Sequence, residues 1–181
     1  MTREQLEHVI RAVAAITGDD EIVVIGSTSI LGQFPNAPLE MLGSIEADVY
    51  PRNHPERFEL IDVIGEMSRF QETFGYYADP VQHDLPRLPG GWQDRLIIVP
   101  VEGPAGRVRG LCLEVHDLVL SKYVAGREKD REFNRSAIRH RLVERGILAG
   151  RLDTLDIDAS LRSALRDGIE SDFRLADQSR H

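Results

Sequence analysis

The chain holds one cysteine, Cys112, among its 181 residues. An intramolecular disulfide needs two, so none staples this fold, and cysteine-based zinc sites are excluded as well. A reducing, cytoplasmic setting suits such a chain. No apolar run approaches the roughly 18 residues that a membrane span requires. The first stretch, MTREQLEHVIRAVAAITGDD, lacks the unbroken apolar core of a secretion signal; its acids and bases follow an amphipathic helical period. The six histidines are scattered, with no pair at helical metal spacing. Positive charge is also in deficit. Lys and Arg number 22 against 30 Asp and Glu, a net charge of -8. Bulk electrostatics therefore oppose nonspecific nucleic-acid binding, and a nucleic-acid partner would need a local basic patch. Apolar residues make up 41% of the chain, enough for a core in a length that suits one domain with a small helical extension.

Leu6, Val9, Ile10, Val13 and Ala14 recur at three- and four-residue steps, which predicts a helix over 3–16. A β-branched run over 21–25 predicts a central strand, followed by a turn at Gly26-Ser27-Thr28. Residues 45–50 read as a second strand closed by Pro51. His54-Pro55 opens a predicted helix to about residue 69. Residues 72–82 read as strand and turn, with Tyr76 and Tyr77 taken as core or rim packing. The connector DLPRLPGGW follows. Strands are predicted over 96–101 and 108–115, separated by the turn Gly103-Pro104-Ala105-Gly106. Asp117 is placed as the cap of a helix, and another helix is predicted over 128–145. One or two more helices are expected over 146–170, with Asp158 as a cap and a frayed tail beyond. There are no internal repeats. The expected class is α/β (α+β): a small mixed sheet flanked by helices. The expected division is a core over 1–126 and a helical C-terminal extension over 127–181, packed on the core.

The informative stretch is VVIGSTSILGQFPNAPLEMLGSIEADVYPR, residues 23–52. Glu46 and Asp48 stand two apart in a strand, so they point to one side of the sheet. Three readings compete. Gly26 followed by Glu46 has the distance of a dinucleotide fingerprint, but Gly26-Ser-Thr-Ser-Ile-Leu-Gly is not G-x-G-x-x-G. A P-loop is excluded, since no Gly-Lys-Ser/Thr occurs. The second reading is structural: the two acids face solvent while Ile45, Ala47 and Val49 face inward. In the third, the pair holds Mg²⁺, a hard cation that prefers oxygen ligands and neutralises the repulsion between the acids. The Gly26-Ser27 turn then offers backbone N–H groups and a hydroxyl to phosphate oxygens.

Gly26-Ser27, a spacer, then Glu46-x-Asp48 in a hydrophobic strand resembles the signature of the polymerase-β-like nucleotidyltransferase superfamily. That signature is hG[GS], a spacer, then Dh[DE]h. SIEADVYPRNHPE together with CLEVHDLVLSKYVAGREKDREF resembles an uncharacterised bacterial branch related to the AbiEii and MenT toxins. The resemblance spans most of residues 20–145. It departs from the signature in having Glu46 for the usual Asp and a longer spacer. The resemblance implies a nucleotidyltransferase fold and Mg²⁺-dependent transfer of a nucleoside monophosphate from an NTP to a hydroxyl. By the toxin branch that hydroxyl could be a tRNA 3′ end, with an antitoxin protein as partner. It implies that Lys122 contacts nucleotide phosphate and that Asp130 supports the site. Glu114 resembles the third carboxylate that superfamily members take from a neighbouring strand, so Glu46, Asp48 and Glu114 form the expected metal set. A silent nucleotide-binding or interaction module of the same fold, or an antitoxin-like partner, is the alternative.

From the residues themselves, Lys122 lies near the start of a helix that follows a strand, where a long flexible cation can reach a triphosphate. Its bland counterpart is a surface lysine. Arg127, Arg131, Arg135 and Arg139 recur at i, i+4 and form one stripe. The stripe is either a solvated helix face or a cradle for phosphates, with Arg127 and Arg131 as candidates for nucleotide and all four for tRNA. His116 and Glu114 are read on one face of the strand over 108–115.

Overall fold

The computed structural model describes residues 1–83, 87–103 and 106–178. Contacts group them into two compact units, Met1–Leu85 with Arg95–Glu114, and Pro86–Asp94 with Val115–His181. Residues 115–125, inside the 1–126 span read as core, group with the helices that follow them.

The first unit is built on a five-stranded mixed sheet. Its strands are β1 (Glu21–Ile25), β2 (Glu46–Pro51), β3 (Tyr77–Pro80), β4 (Ile97–Gly103) and β5 (Gly106–Cys112). Their order across the sheet is β3-β2-β1-β5-β4. β1 is buried along its whole length, as its unbroken EIVVI run dictates for a central strand. It pairs antiparallel with β2 and parallel with β5. β3 adds to β2 in parallel.

Helix α1 (Arg3–Thr17) packs on this sheet through Leu6, Val9, Ile10 and Val13, all fully buried. Thr2 and Gln5 close a capping box at its start, and Gly18 ends it at φ 68, a left-handed conformation that glycine adopts without a Cβ clash. Burying four such side chains removes on the order of 6–10 kcal/mol of apolar surface from water, an upper bound on net gain. Between β1 and β2 lie a 3₁₀ turn, Ser27–Ser29, the short α2 (Ile30–Gln33) and a second turn at Leu39–Met41.

The second unit is helical: α4 (Val115–Ala125), α5 (Glu128–Arg139), α6 (Arg145–Leu152) and α7 (Ala159–Gln178). Asp158 accepts from the Leu161 backbone N–H at 2.8 Å and caps α7 as expected.

Several local expectations are corrected. The predicted helix over 54–69 is a 3₁₀ segment, Pro55–Ile64, and a separate helix, α3 (Arg69–Phe74), which Gly75 ends. Apolar residues every third or fourth position suit either winding, so periodicity could not separate them. The helix predicted to 145 stops at Arg139, where Arg141 turns at φ 57. The strand read to 115 ends at Cys112, and α4 begins at Val115. Asp117 is therefore inside the first turn of α4, where it is fully buried and paired with Arg151 at 3.0 Å, and is not its cap. The tail expected to fray is helical to Gln178, with Ile169 and Asp172 buried. Residues 84–86 of the connector, Pro104-Ala105 of the turn, and residues 179–181 lie outside the described residues.

Candidate functional site

Strand alternation places Glu46 and Asp48 on one face of β2, both half-buried, while Ala47 and Val49 between and beyond them are fully buried. Antiparallel pairing sets Asp48 opposite Ile25, the last residue of β1. The chain leaves β1 at Gly26, with φ 65 and ψ -169. A Cβ built there would lie 1.8 Å from Asp48 Oδ2 and 2.7 Å from its carboxyl carbon. The Asp48 carboxylate thus occupies the space that any other residue at 26 would fill. This is why glycine stands here: the left-handed φ and the close approach each exclude a side chain. The turn is tied by Gly26 O, which accepts from the Ser29 hydroxyl at 2.7 Å and its N–H at 3.2 Å. Ser27 is half-buried in the turn. Next to it, the Thr28 hydroxyl is buried with no hydrogen-bond partner among the described residues, which is rare for a buried polar atom.

Parallel pairing of β3 brings two residues that the sequence reading missed. Tyr77 lies beside Glu46 and Asp79 beside Asp48, in register. The Tyr77 hydroxyl donates to Glu46 Oε2 at 3.0 Å. Burial, this hydrogen bond and the negative charges of Glu46, Glu66 and Asp79 push the Tyr77 phenol up to about 12. It therefore remains a donor at any working pH. Burial, and then the charges of Glu46, Glu66 and Asp62, hold the Asp79 carboxyl above the usual carboxylate range. A detectable signal existed: Tyr77-Ala78-Asp79 repeats the alternation of Glu46-Ala47-Asp48, so both segments present polar groups at i and i+2.

Glu114 is buried just past β5. Its strand is separated from β2 by β1, whereas Asp79 is carried by the strand next to Glu46 and Asp48. Among the described residues no group of three or more His, Cys, Asp or Glu side chains already stands ready for a metal. The donors on the β2 and β3 face are all oxygens. That donor chemistry fits a hard divalent cation that keeps some of its ligands as water or substrate oxygen.

The other candidates lie in the helical unit. Lys122 is buried, its ammonium 3.0 Å from Asp130 Oδ1 and 4.6 Å from the centre of the Phe133 ring. Arg127 Nε donates to Asp130 Oδ2 at 2.7 Å. Asp130 is fully buried and paired with two cations, Lys122 of α4 and Arg127 at the N-cap of α5. Burial alone would raise its pKa. The hydrogen bonds and charges of Arg127 and Lys122 outweigh burial and hold it below the usual range. Such a carboxylate stabilises the fold above its unfolded value of 3.8, and that contribution is lost as pH falls through the folded value. Asp130→Asn should cost about 3–5 kcal/mol, because it breaks the buried ion pairs of Lys122 and Arg127 with Asp130. Chemical denaturation at neutral pH measures the loss. The gap between variant and wild type should narrow in acid.

The arginine stripe is partly consumed by the fold. Arg127 is held by Asp130, and Arg135 Nε donates to Asp172 Oδ1 at 3.0 Å. Arg131 is exposed and has no ion-pair partner among the described residues. Arg139 is exposed at the end of α5. A groove of about 310 Å³ is lined by Lys122, Arg131 and Arg135 on one side and by Ala164, Leu165 and Gly168 of α7 on the other. His116, read as a strand residue, lies in α4, and its Nε2 accepts from the Glu144 N–H at 2.9 Å. No helix among the described residues is long and apolar enough to cross a membrane.

A family model described as nucleotidyltransferase of unknown function (DUF6036) matches residues 4–164. No curated protein and no solved structure matches the chain.

Proposed function

The chain belongs to this nucleotidyltransferase family, and on that premise we propose that the face formed by Glu46, Asp48 and Asp79 transfers a nucleoside monophosphate from an NTP to a hydroxyl. The observation that carries the reading is the fit of Gly26 to the Asp48 carboxylate. A turn able to hold phosphate is pressed directly against an acid able to hold a cation, with no side chain between them. Ordinary packing gives no reason to seat a charged group on a left-handed glycine.

Glu46 and Asp48 would hold Mg²⁺, with Glu114 as the expected third carboxylate and Asp79 as a further acid beside Asp48. When bound, the ion would neutralise the acids, activate the attacking hydroxyl and stabilise the leaving pyrophosphate. The Gly26-Ser27 backbone would bind phosphate oxygen and orient it. Asp48, pinned by the turn, would keep its oxygens fixed without reorganisation as charge develops.

In the helical unit, the groove beside Lys122, Arg131 and Arg135 is proposed to take phosphates of nucleotide or acceptor RNA, with Arg131 supplying an uncommitted guanidinium. The likeness of residues 20–145 to the toxin branch supports a tRNA 3′ end as acceptor and an antitoxin as partner. Thermal shift with each NTP, with and without Mg²⁺, tests the reading, followed by incorporation of labelled nucleotide into tRNA, total RNA and protein. Stabilisation by an NTP only when Mg²⁺ is present, and label in an acceptor, are expected. No stabilisation by any NTP would defeat the proposal. Stabilisation without transfer would instead mark a nucleotide-binding module.

A further inference from the structure

We propose that Tyr77 is a positioning residue for Glu46, and that this pairing is the reason the first acid is a glutamate. The proposal rests on the reading of Glu46 and Asp48 as cation ligands. β3 runs parallel to β2 with Tyr77 beside Glu46 in register, and the Tyr77 N–H is fixed to Ile45 O at 3.0 Å. The ring is buried, 7% exposed, so the hydroxyl has little freedom. It donates to Glu46 Oε2 at 3.0 Å. An aspartate at 46 would be shorter by one carbon–carbon bond, about 1.5 Å, and would not reach a phenol held in place by its buried ring.

The chemistry of this partner matters. A hydrogen bond to a carboxylate fixes its orientation, and partners behind a metal ligand govern how well the ligand binds. A lysine or arginine at 77 would orient Glu46 equally well. It would also neutralise the acid and compete with the cation. The phenol orients without adding charge, so the face keeps its attraction for a divalent ion. Tyr77 thereby fixes the plane of the Glu46 carboxylate through Oε2. Asp48 is confined on another side, by the Gly26 turn. The two acids are thus held by different devices, one from each neighbouring strand: β3 through Tyr77 and β1 through its Gly26 exit.

The test uses the full chain and titrates Mn²⁺ and Mg²⁺ by calorimetry in the absence of nucleotide. Tyr77→Phe removes one oxygen and leaves the ring. It should weaken metal affinity roughly 10–100-fold, the usual effect of losing a partner behind a ligand, while the melting temperature stays close to wild type. Glu46→Asp should weaken binding as well, and adding Tyr77→Phe to it should cost little more, because the bond is already gone. A residue that only supported the fold would show additive losses. Tyr77→Phe affinity within twofold of wild type, or additive losses in the double variant, would overturn the proposal while leaving the metal reading intact. Absence of metal binding by the wild type would overturn both. Should Tyr77→Phe fail to fold, Glu46→Asp removes the same bond from the other side, and metal affinity within twofold of wild type in that variant would overturn the proposal.

Discussion

Asp48→Asn should reduce nucleotide transfer by about a thousandfold or more while leaving the folded chain no less stable than wild type in metal-free buffer. The substitution preserves the shape that rests against Gly26 and removes only charge. Loss of an ion that stabilises several kcal/mol of developing charge is worth factors of this size, since each 1.36 kcal/mol is about tenfold. Stability should hold, or rise, because Asp48 stands among like charges: Glu46 two residues away on the same face and Asp79 beside it in register. Removing one member of such a set relieves repulsion when no cation is present. Stabilisation by Mg²⁺ should vanish in the same variant. Steady-state transfer assays and melting curves with and without Mg²⁺ measure both effects. Transfer at the wild-type rate would eliminate Asp48 from the reaction, and with it the central claim about this face.

Gly26→Ala should lose both stability and activity, in proportions that reveal how the site is built. Forcing a Cβ onto a residue at φ 65 costs about 1–3 kcal/mol, a fall of roughly 2–10 °C in a chain of this size. The new carbon would also sit 1.8 Å from Asp48 Oδ2, so the carboxylate must move by more than 1 Å. A displacement of that order in a catalytic group can cost about a hundredfold. Gly18→Ala is a control for a positive φ without a close contact, although its ψ of 21 places it in the αL region and the ψ of -169 at Gly26 does not. Gly18 has φ 68, and the contact its Cβ would make, with Arg57, is an ordinary 3.5 Å. It should destabilise less than Gly26→Ala, by about 1 kcal/mol, and leave transfer close to wild type. If the two alanine variants lost activity equally, backbone strain alone would explain Gly26.

Much of the acidic face was legible before folding. Period-two alternation is a local property of an extended chain, so Glu46 and Asp48 had to share a side and Ala47 and Val49 the other. The turn at Gly26-Ser27 was legible too, because glycine after a buried β-branched run marks a sharp exit. Asp79 and Tyr77 were not, although the echo between EAD and YAD is visible once sought. What joins the two segments is the parallel register of β2 and β3, set across the connection from residue 52 to residue 76 with its 3₁₀ segment and helix. Glu114 was given the third place by resemblance, and it lies just past the end of β5. The sheet order puts β1 between that strand and β2. In the helical unit the sequence placed Lys122 and Asp130 near one another on two helices. It could not say that both carboxylate oxygens of Asp130 would be occupied, one by Lys122 and one by Arg127. The arginine stripe overcounted the available cations, because Arg127, at the N-cap of α5, is taken by Asp130 and Arg135 by Asp172 of α7.

By itself, then, the sequence determined the class of fold, the central strand, the acid pair and the glycine turn, all of which follow from residue type and short-range periodicity. Tertiary structure decided which acids are neighbours, that a phenol holds Glu46, and that Asp48 fills the space a side chain at 26 would need. Those are facts of strand pairing and close packing between distant segments, and no local spacing encodes them.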